Sequence, residues 1–174
     1  MLKRVTFIIV LFCFGNVAMA QTTEQEADLK AVFLYNFTKY IDWDDAANND
    51  FIIGVLGNSA IERPITEIAK TNTVNNKNIV VKHFIRPEDI SGCNILFIPY
   101  GTVYPISSIL EKTGKGVLTV SEKPGLGKQG TAFNFVVIND KLKFEANLKA
   151  ISDAGLKASS QLLKLAIIIN NSNN

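Results

Sequence analysis

The chain has 174 residues, 47% of them hydrophobic and 20% charged, with 18 basic against 16 acidic side chains. That length suits one domain with core enough to fold without covalent staples. A balance so close to neutral excludes the basic face that nucleic-acid binding requires, so no nucleic-acid partner is expected.

Residues Met1 to Ala20 read as a cleavable secretory signal. Lys3 and Arg4 supply the positive start, Val5 to Phe14 an apolar run too short to span a bilayer, and Ala18 and Ala20 the small residues of the cleavage site. The working domain is then expected from Gln21 to Asn174. Removing Lys3 and Arg4 makes basic and acidic residues equal in number, so the positive excess belongs to the targeting segment. Cys13 leaves with it, and Cys93 remains as a lone thiol that cannot form an intramolecular disulfide. Ile95 to Ile98 follow it closely, so a buried small hydrophobe is expected there. No second apolar run reaches spanning length, so no membrane span is expected in the mature chain.

A first helix is expected from Glu24 to Ile41, with Leu29, Val32, Phe33, Phe37, Tyr40 and Ile41 on one broad apolar face. Phe51 to Gly57 reads as a buried strand ending in glycine. Ser59 and Glu62 have capping-box spacing for a helix to Lys70, with Pro64 past the first turn as a disturbance. Further strands are expected at Asn78 to Phe84, Ile95 to Pro99 and Gly116 to Val120, with a short helix from Tyr104 to Lys112. Thr131 to Ile138 and Leu142 to Ala146 then suggest an antiparallel hairpin through Asn139, Asp140 and Lys141. A helix from Asn147 to Ala154 stops at Gly155. A last helix from Ser159 carries Leu162, Leu163, Leu165 and Ala166, with Ile167 to Ile169 ending it in a buried patch. The expected fold is α/β, a largely parallel sheet flanked by helices in a Rossmann-like three-layer arrangement, closed by a C-terminal β-hairpin and helices.

The search for chemistry yields no catalytic constellation and no metal set. His83 is the only histidine, and no Cys, Asp or Glu spacing near it completes a ligand group. Gly125, Gly127 and Gly130 spell G-x-G-x-x-G, but a strand follows where the dinucleotide fingerprint needs a helix, so a loop is expected. Gly54 and Gly57 stand in better context, at a strand-to-helix turn suited to an anion. Gly57, Asn58, Ser59 and Ser121 are therefore the candidate ligand-binding residues, beyond the carboxyl ends of parallel strands. Asp42, Asp44 and Asp45 around Trp43 read as a solvated turn. Tyr40 and Trp43 are the candidate partner-binding residues, on the expectation that one stays exposed beside that turn. No cofactor is called for.

Three stretches carry a resemblance that composition does not. They are Leu29 to Trp43; Gly54 to Gly57 with Ser91 to Phe97 and Leu118 to Ser121; and Gly130 to Val136 with Phe144 to Asn147 and Gly155 to Ala166. Together they resemble the YfiR-like family of periplasmic regulators across nearly the whole mature chain. The resemblance implies a periplasmic α/β domain, not an enzyme, that restrains a membrane-bound diguanylate cyclase by binding its periplasmic sensor region. Cyclic-di-GMP signalling and biofilm formation would be the output. Cys93 has no partner here for the disulfides that relatives carry. Two readings follow: a regulator of a membrane sensor (diguanylate cyclase or histidine kinase), and a periplasmic small-molecule-binding module serving a sensor kinase or transporter. A homodimer is left open.

Overall fold

The computed structural model describes residues 24–43 and 49–169. The signal segment with Ala18 and Ala20, the aspartates Asp44 and Asp45, and the Asn170 to Asn174 tail lie outside the described residues. Chain order gives α1 (24–40), β1 (Ile41–Asp42), β2 (Asp50–Leu56), α2 (Glu62–Thr71), β3 (Thr73–Val74), β4 (Lys77–Phe84) and β5 (Ile95–Ile98). Then follow α3 (Ile106–Leu110), β6 (Leu118–Ser121), β7 (Phe133–Ile138), β8 (Lys141–Asn147), α4 (Leu148–Asp153), β9 (Lys157–Ala158), α5 (Ser160–Leu163) and β10 (Ile167–Ile169).

The central sheet has eight strands in the order β10-β8-β7-β6-β5-β2-β4-β3. Strands β4, β2, β5, β6 and β7 run parallel, and β3 and β8 are antiparallel to their neighbours β4 and β7. The protein is thus α/β with a mostly parallel sheet, as expected. The central strands are apolar on both sides because both are covered. Phe51, Ile53 and Val55 of β2 pack with Ala31, Leu34 and Phe37 of α1, with Ile61 at the start of α2 and with Ile65 within it. Ile52 and Leu56 look the other way, toward Leu96, Ile98, Ile109 and Leu126. Position 54 shares that side by strand alternation, and it is glycine because Phe84 leaves no room: a Cβ there would come within 2.5 Å of its ring.

Both tight hairpins use paired positive φ. Asn139 and Asp140 (φ 51° and 57°) join β7 to β8, and Asn75 and Asn76 (φ 49° and 62°) join β3 to β4. Such pairs match the right-handed twist of two-residue hairpins, and Asn and Asp tolerate the left-handed region. The first hairpin was expected, with a turn one residue longer; the second was not, because β3 has only two residues.

Four expectations need correction. The buried side of α1 is Ala27, Ala31, Leu34, Phe37 and Thr38, whereas Leu29, Val32 and Tyr40 are exposed, at 45%, 44% and 39%. Large apolar residues lie on two sides of this helix, and the small Ala27 and Ala31 let it approach the sheet. The helix also ends at residue 40, since Ile41 and Asp42 pair with Ala158 and Lys157 in a separate two-stranded sheet. Pro64 is no disturbance: α2 begins at Glu62, so its missing N–H belongs to the first turn, where it has no intrahelical partner. Finally, Ile167–Ile169 is not a helix end but strand β10, parallel to Glu145–Asn147 of β8. Three successive β-branched residues prefer a strand, and Leu165 and Ile168 are exposed rather than buried.

Candidate functional site

The connections reverse direction at β2. From β2 the chain crosses to β4 on one side, then returns to lay β5 on the other. Loops leaving the carboxyl ends of two strands that wind apart leave a crevice between them. Here those loops are Gly57–Ser59 after β2 and Pro99–Gly101 after β5.

Gly57 turns the chain out of β2 with φ of 76°, and its N–H donates to the Phe84 carbonyl at 2.8 Å. Asn58 is exposed at the lip. Ser59 accepts the Ile61 N–H at 3.3 Å and so prepares the start of α2. Two clefts meet at Asn58, Pro99 and Gly101. One, of about 320 Å³, runs under α1 past Glu26, Lys30, Ser59 and Glu122. The other, of about 610 Å³, opens toward Leu56, His83, Ile85, Val103 and Tyr104. Ile85 and Val103 stand well into solvent at its rim, as Tyr100 does beside the first cleft. The crevice therefore brings together Gly57, Asn58 and Ser59 of the four candidate ligand-binding residues.

Ser121 stands apart. It ends β6, but its side is the covered one: it is wholly buried, and its hydroxyl donates to Asn134 Oδ1 at 2.7 Å and shares a hydrogen bond with Thr131 Oγ1 at 2.8 Å. This corrects its assignment to a ligand surface. It belongs to a buried polar seam. Asn134 donates on to Glu145 at 2.9 Å, Thr119 Oγ1 accepts the Ala132 N–H, and Asn147 donates to the Gly127 carbonyl at 2.8 Å. The seam exists because β6 and β7 are joined by a loop rather than a helix, and its buried backbone groups need partners. The G-x-G-x-x-G glycines lie in this loop. Gly125 and Gly130 take φ of 85° and 114°, and a Cβ on Gly127 would come within 2.9 Å of Glu145 and Ile169. Their spacing serves chain packing, as the missing helix suggested.

The strongest electrostatic feature of the crevice was not foreseen. The Lys30 ammonium binds both Glu26, one turn earlier in α1, and Glu122, just beyond β6. Glu122 also accepts the Tyr100 N–H at 2.9 Å. Burial lowers the Lys30 pKa, but hydrogen bonds and charges from Glu122 and Glu26 outweigh it, and the net shift is upward. Lys30 thus ties α1, β6 and the β5 loop together as a fixed cation. Residues 92 apart in sequence carry no local signal of such a pair. Removing the carboxylate with Glu122→Ala is expected to free the Tyr100 N–H. Hydrogen exchange at that amide should accelerate at least about tenfold, since hydrogen bonds to charged groups contribute roughly 1.5–3 kcal/mol.

At the opposite end of α1, Tyr40 is partly exposed and Trp43 half-buried. The Trp43 indole donates to the Thr38 carbonyl at 2.9 Å, and its ring meets Phe51 edge-on at 5.0 Å. Tyr40 is the freer of the two candidate partner-binding residues. His83 contacts Glu62 at 2.6 Å on the surface. Cys93 is 6% exposed against Gly54 and Phe84, and burial pushes its thiol up to about 11. In the native protein at pH 8, disulfide reagents should modify it about a hundredfold more slowly than in urea-unfolded chain, where the thiol returns to about 8.5.

No helix among the described residues is long and apolar enough to cross a membrane. The sequence model of the family described as YfiR/HmsC-like matches residues 27–167. That span runs from the first turns of α1 into β10, and the chain belongs to this family.

Proposed function

We propose that this YfiR/HmsC-like protein is a periplasmic regulator that binds and restrains a membrane-bound sensor, a diguanylate cyclase, and thereby controls cyclic-di-GMP. The carrying observation is the family match over residues 27–167, which takes in nearly every described element. The N-terminal pattern supports export: Lys3 and Arg4, an apolar run, then Ala18 and Ala20. The regulator works by a difference in affinity between two states of its partner, for which no reaction is needed. Tyr40 and Trp43 are the proposed contact residues, at the end of α1 away from the crevice.

Three measurements test this reading. The exported protein should begin at Gln21. Deleting the gene should raise cyclic-di-GMP, and tagged protein should capture a cyclase from envelope extracts. Tyr40→Ala should weaken that capture without lowering the melting temperature. Unchanged cyclic-di-GMP in the deletion strain, with no membrane sensor captured, would sink the proposal.

The crevice favours one second reading, a small-molecule-binding module that serves a sensor kinase or transporter. We read the doubly wound parallel strands as Rossmann-like, and the sheet of such a fold receives ligands where its winding reverses. Gly57, Asn58 and Ser59 sit at that point. A ligand at a hundred times its dissociation constant adds about 2.7 kcal/mol of stability, so a thermal-shift screen of metabolites tests it directly.

A further inference from the structure

The sheet ends in β4 and β3, and β3 is too short to close it. It pairs only with Lys77 and Asn78, so Ile79 to Phe84 form an open edge on the side away from β2. At about 3.3 Å per residue, that edge is roughly 20 Å long. Main-chain groups alternate along it. The Phe84 carbonyl points inward and accepts the Gly57 N–H at 2.8 Å, so Val81 and His83 turn their N–H and C=O groups outward. Those groups have no protein partner among the described residues. Sheet edges are commonly blunted by charges, proline or bulges. Here Ile79, Val80 and Val81 are aliphatic, and Lys82 carries the one permanent charge of the open stretch. Lys82 is exposed on the side of β4 that holds Val80 and Phe84, and it pairs with no carboxylate among the described residues.

The edge leads into a cleft. Ile85 follows β4 directly and is 70% exposed, and Val103 is 86% exposed. Both line the cleft of about 610 Å³, together with His83, the buried Leu56 and Tyr104. Single exposed apolar residues are ordinary, but these two stand at one opening, where the open edge ends. A row of outward N–H and C=O groups has one full complement, an extended main chain. In recognition by strand addition, main-chain hydrogen bonds supply affinity and side-chain pockets supply specificity. We infer that the β4 edge receives an extended segment of the membrane sensor. That segment adds a strand beside Val81 and His83, sets a carboxylate against Lys82 and seats an apolar side chain between Ile85 and Val103.

The inference rests on the regulator reading for its partner, and it adds a second contact to the one at Tyr40 and Trp43. A second copy of this chain fits the edge less well. Two copies joined through it would bring their Lys82 side chains within a pair or two of each other, like charge against like.

Site-specific photocrosslinking in cells tests this, with a benzophenone side chain placed at Lys82 or Ile85 of the full chain. Each position should form an adduct with the same sensor that the parent protein captures. Val81→Pro removes an outward N–H without breaking a bond to β2. Lys82→Glu and Ile85→Asp change exposed side chains, so the test does not depend on the folding of the proline variant, and melting of each variant checks its fold. Each should weaken sensor capture by about tenfold or more and raise cyclic-di-GMP toward the level of the deletion strain. Lysine in place of the sensor's opposed carboxylate should restore capture by Lys82→Glu. Capture and restraint that survive all three substitutions would overturn the inference and leave the regulator reading standing. So would an adduct between two copies of this chain, or a sensor that crosslinks at Tyr40 but at neither edge position. Unchanged cyclic-di-GMP on deletion, with no sensor captured, would overturn both.

Discussion

Replacing Phe37 by alanine is expected to cost about 3–5 kcal/mol, the largest loss from any single side chain of α1. The ring is wholly buried, with its centre 4.6 Å from Phe133, 5.1 Å from Phe144, 6.0 Å from Phe135 and 6.1 Å from Phe33. These contacts fasten α1 to β7 and β8, and the tilted and edge-on geometries add a modest increment beyond area burial. Truncation leaves a cavity walled by rigid rings, which collapse into the gap poorly, so the cost falls high in the usual range. Native domains rarely have more than about 5–15 kcal/mol in hand, and the midpoint should fall by roughly 6–20 °C at about 2–4 °C per kcal/mol. Urea unfolding followed through the single tryptophan, Trp43, measures it. Leu29→Ala and Val32→Ala on the outward side of the same helix should change stability by no more than about 0.5 kcal/mol. Equal losses at all three positions would mean that the helix packs the other way round.

Asn147→Ala is expected to cost about 2–4 kcal/mol, from two losses at one buried side chain. Asn147 is the N-cap of α4, its Oδ1 accepting the Ala150 N–H at 3.0 Å. Its Nδ2 donates to the Gly127 carbonyl at 2.8 Å, across the sheet side where the glycine loop lies. Alanine leaves both backbone groups without that partner in a 1% exposed position. Asn147→Asp separates the two roles: the acceptor for the cap survives, but a carboxylate faces the Gly127 carbonyl where a donor stood. The aspartate variant should therefore remain destabilised despite its good capping chemistry. A melting temperature equal to the parent's would show that the cap alone accounts for the position.

Much of the architecture can be read along the chain. Phe51 to Gly57 and Ile95 to Pro99 are too uniformly apolar for strands with a wet side, so they had to be central. Asn139-Asp140 announces a hairpin through its tolerance of positive φ, and Gly155, at φ of 74°, marks the end of α4 as a left-handed cap position. What misled was α1, where large apolar residues occur on both sides and hydrophobicity could not rank them. Ala27 and Ala31 are only weakly hydrophobic, yet they are buried at the contact with the sheet. At β10, an apolar triplet after a short helix was read as its last turn, although its β-branched residues already favoured a strand.

The candidate site divides in the same way. Gly57, Asn58 and Ser59 were legible because a strand-to-helix turn is a local event. Ser121 had the same apparent position, at the end of a parallel strand, yet its neighbour is a packed loop and its hydroxyl is used inside. Lys30 and Glu122 could not be seen at all before the fold joined them.

By itself, the sequence determined the α/β alternation and the Asn139-Asp140 hairpin turn, and, as expectations, the exported character of the N-terminus and the isolation of Cys93. Each follows from torsional preference, hydropathy or counting within a few neighbouring residues. Only the tertiary structure decided which side of α1 is core, where the winding reverses to open a crevice, and that the G-x-G-x-x-G loop covers a buried polar seam. These depend on which strands lie next to each other, a choice made by the free energy of the whole sheet and invisible in any one segment of it.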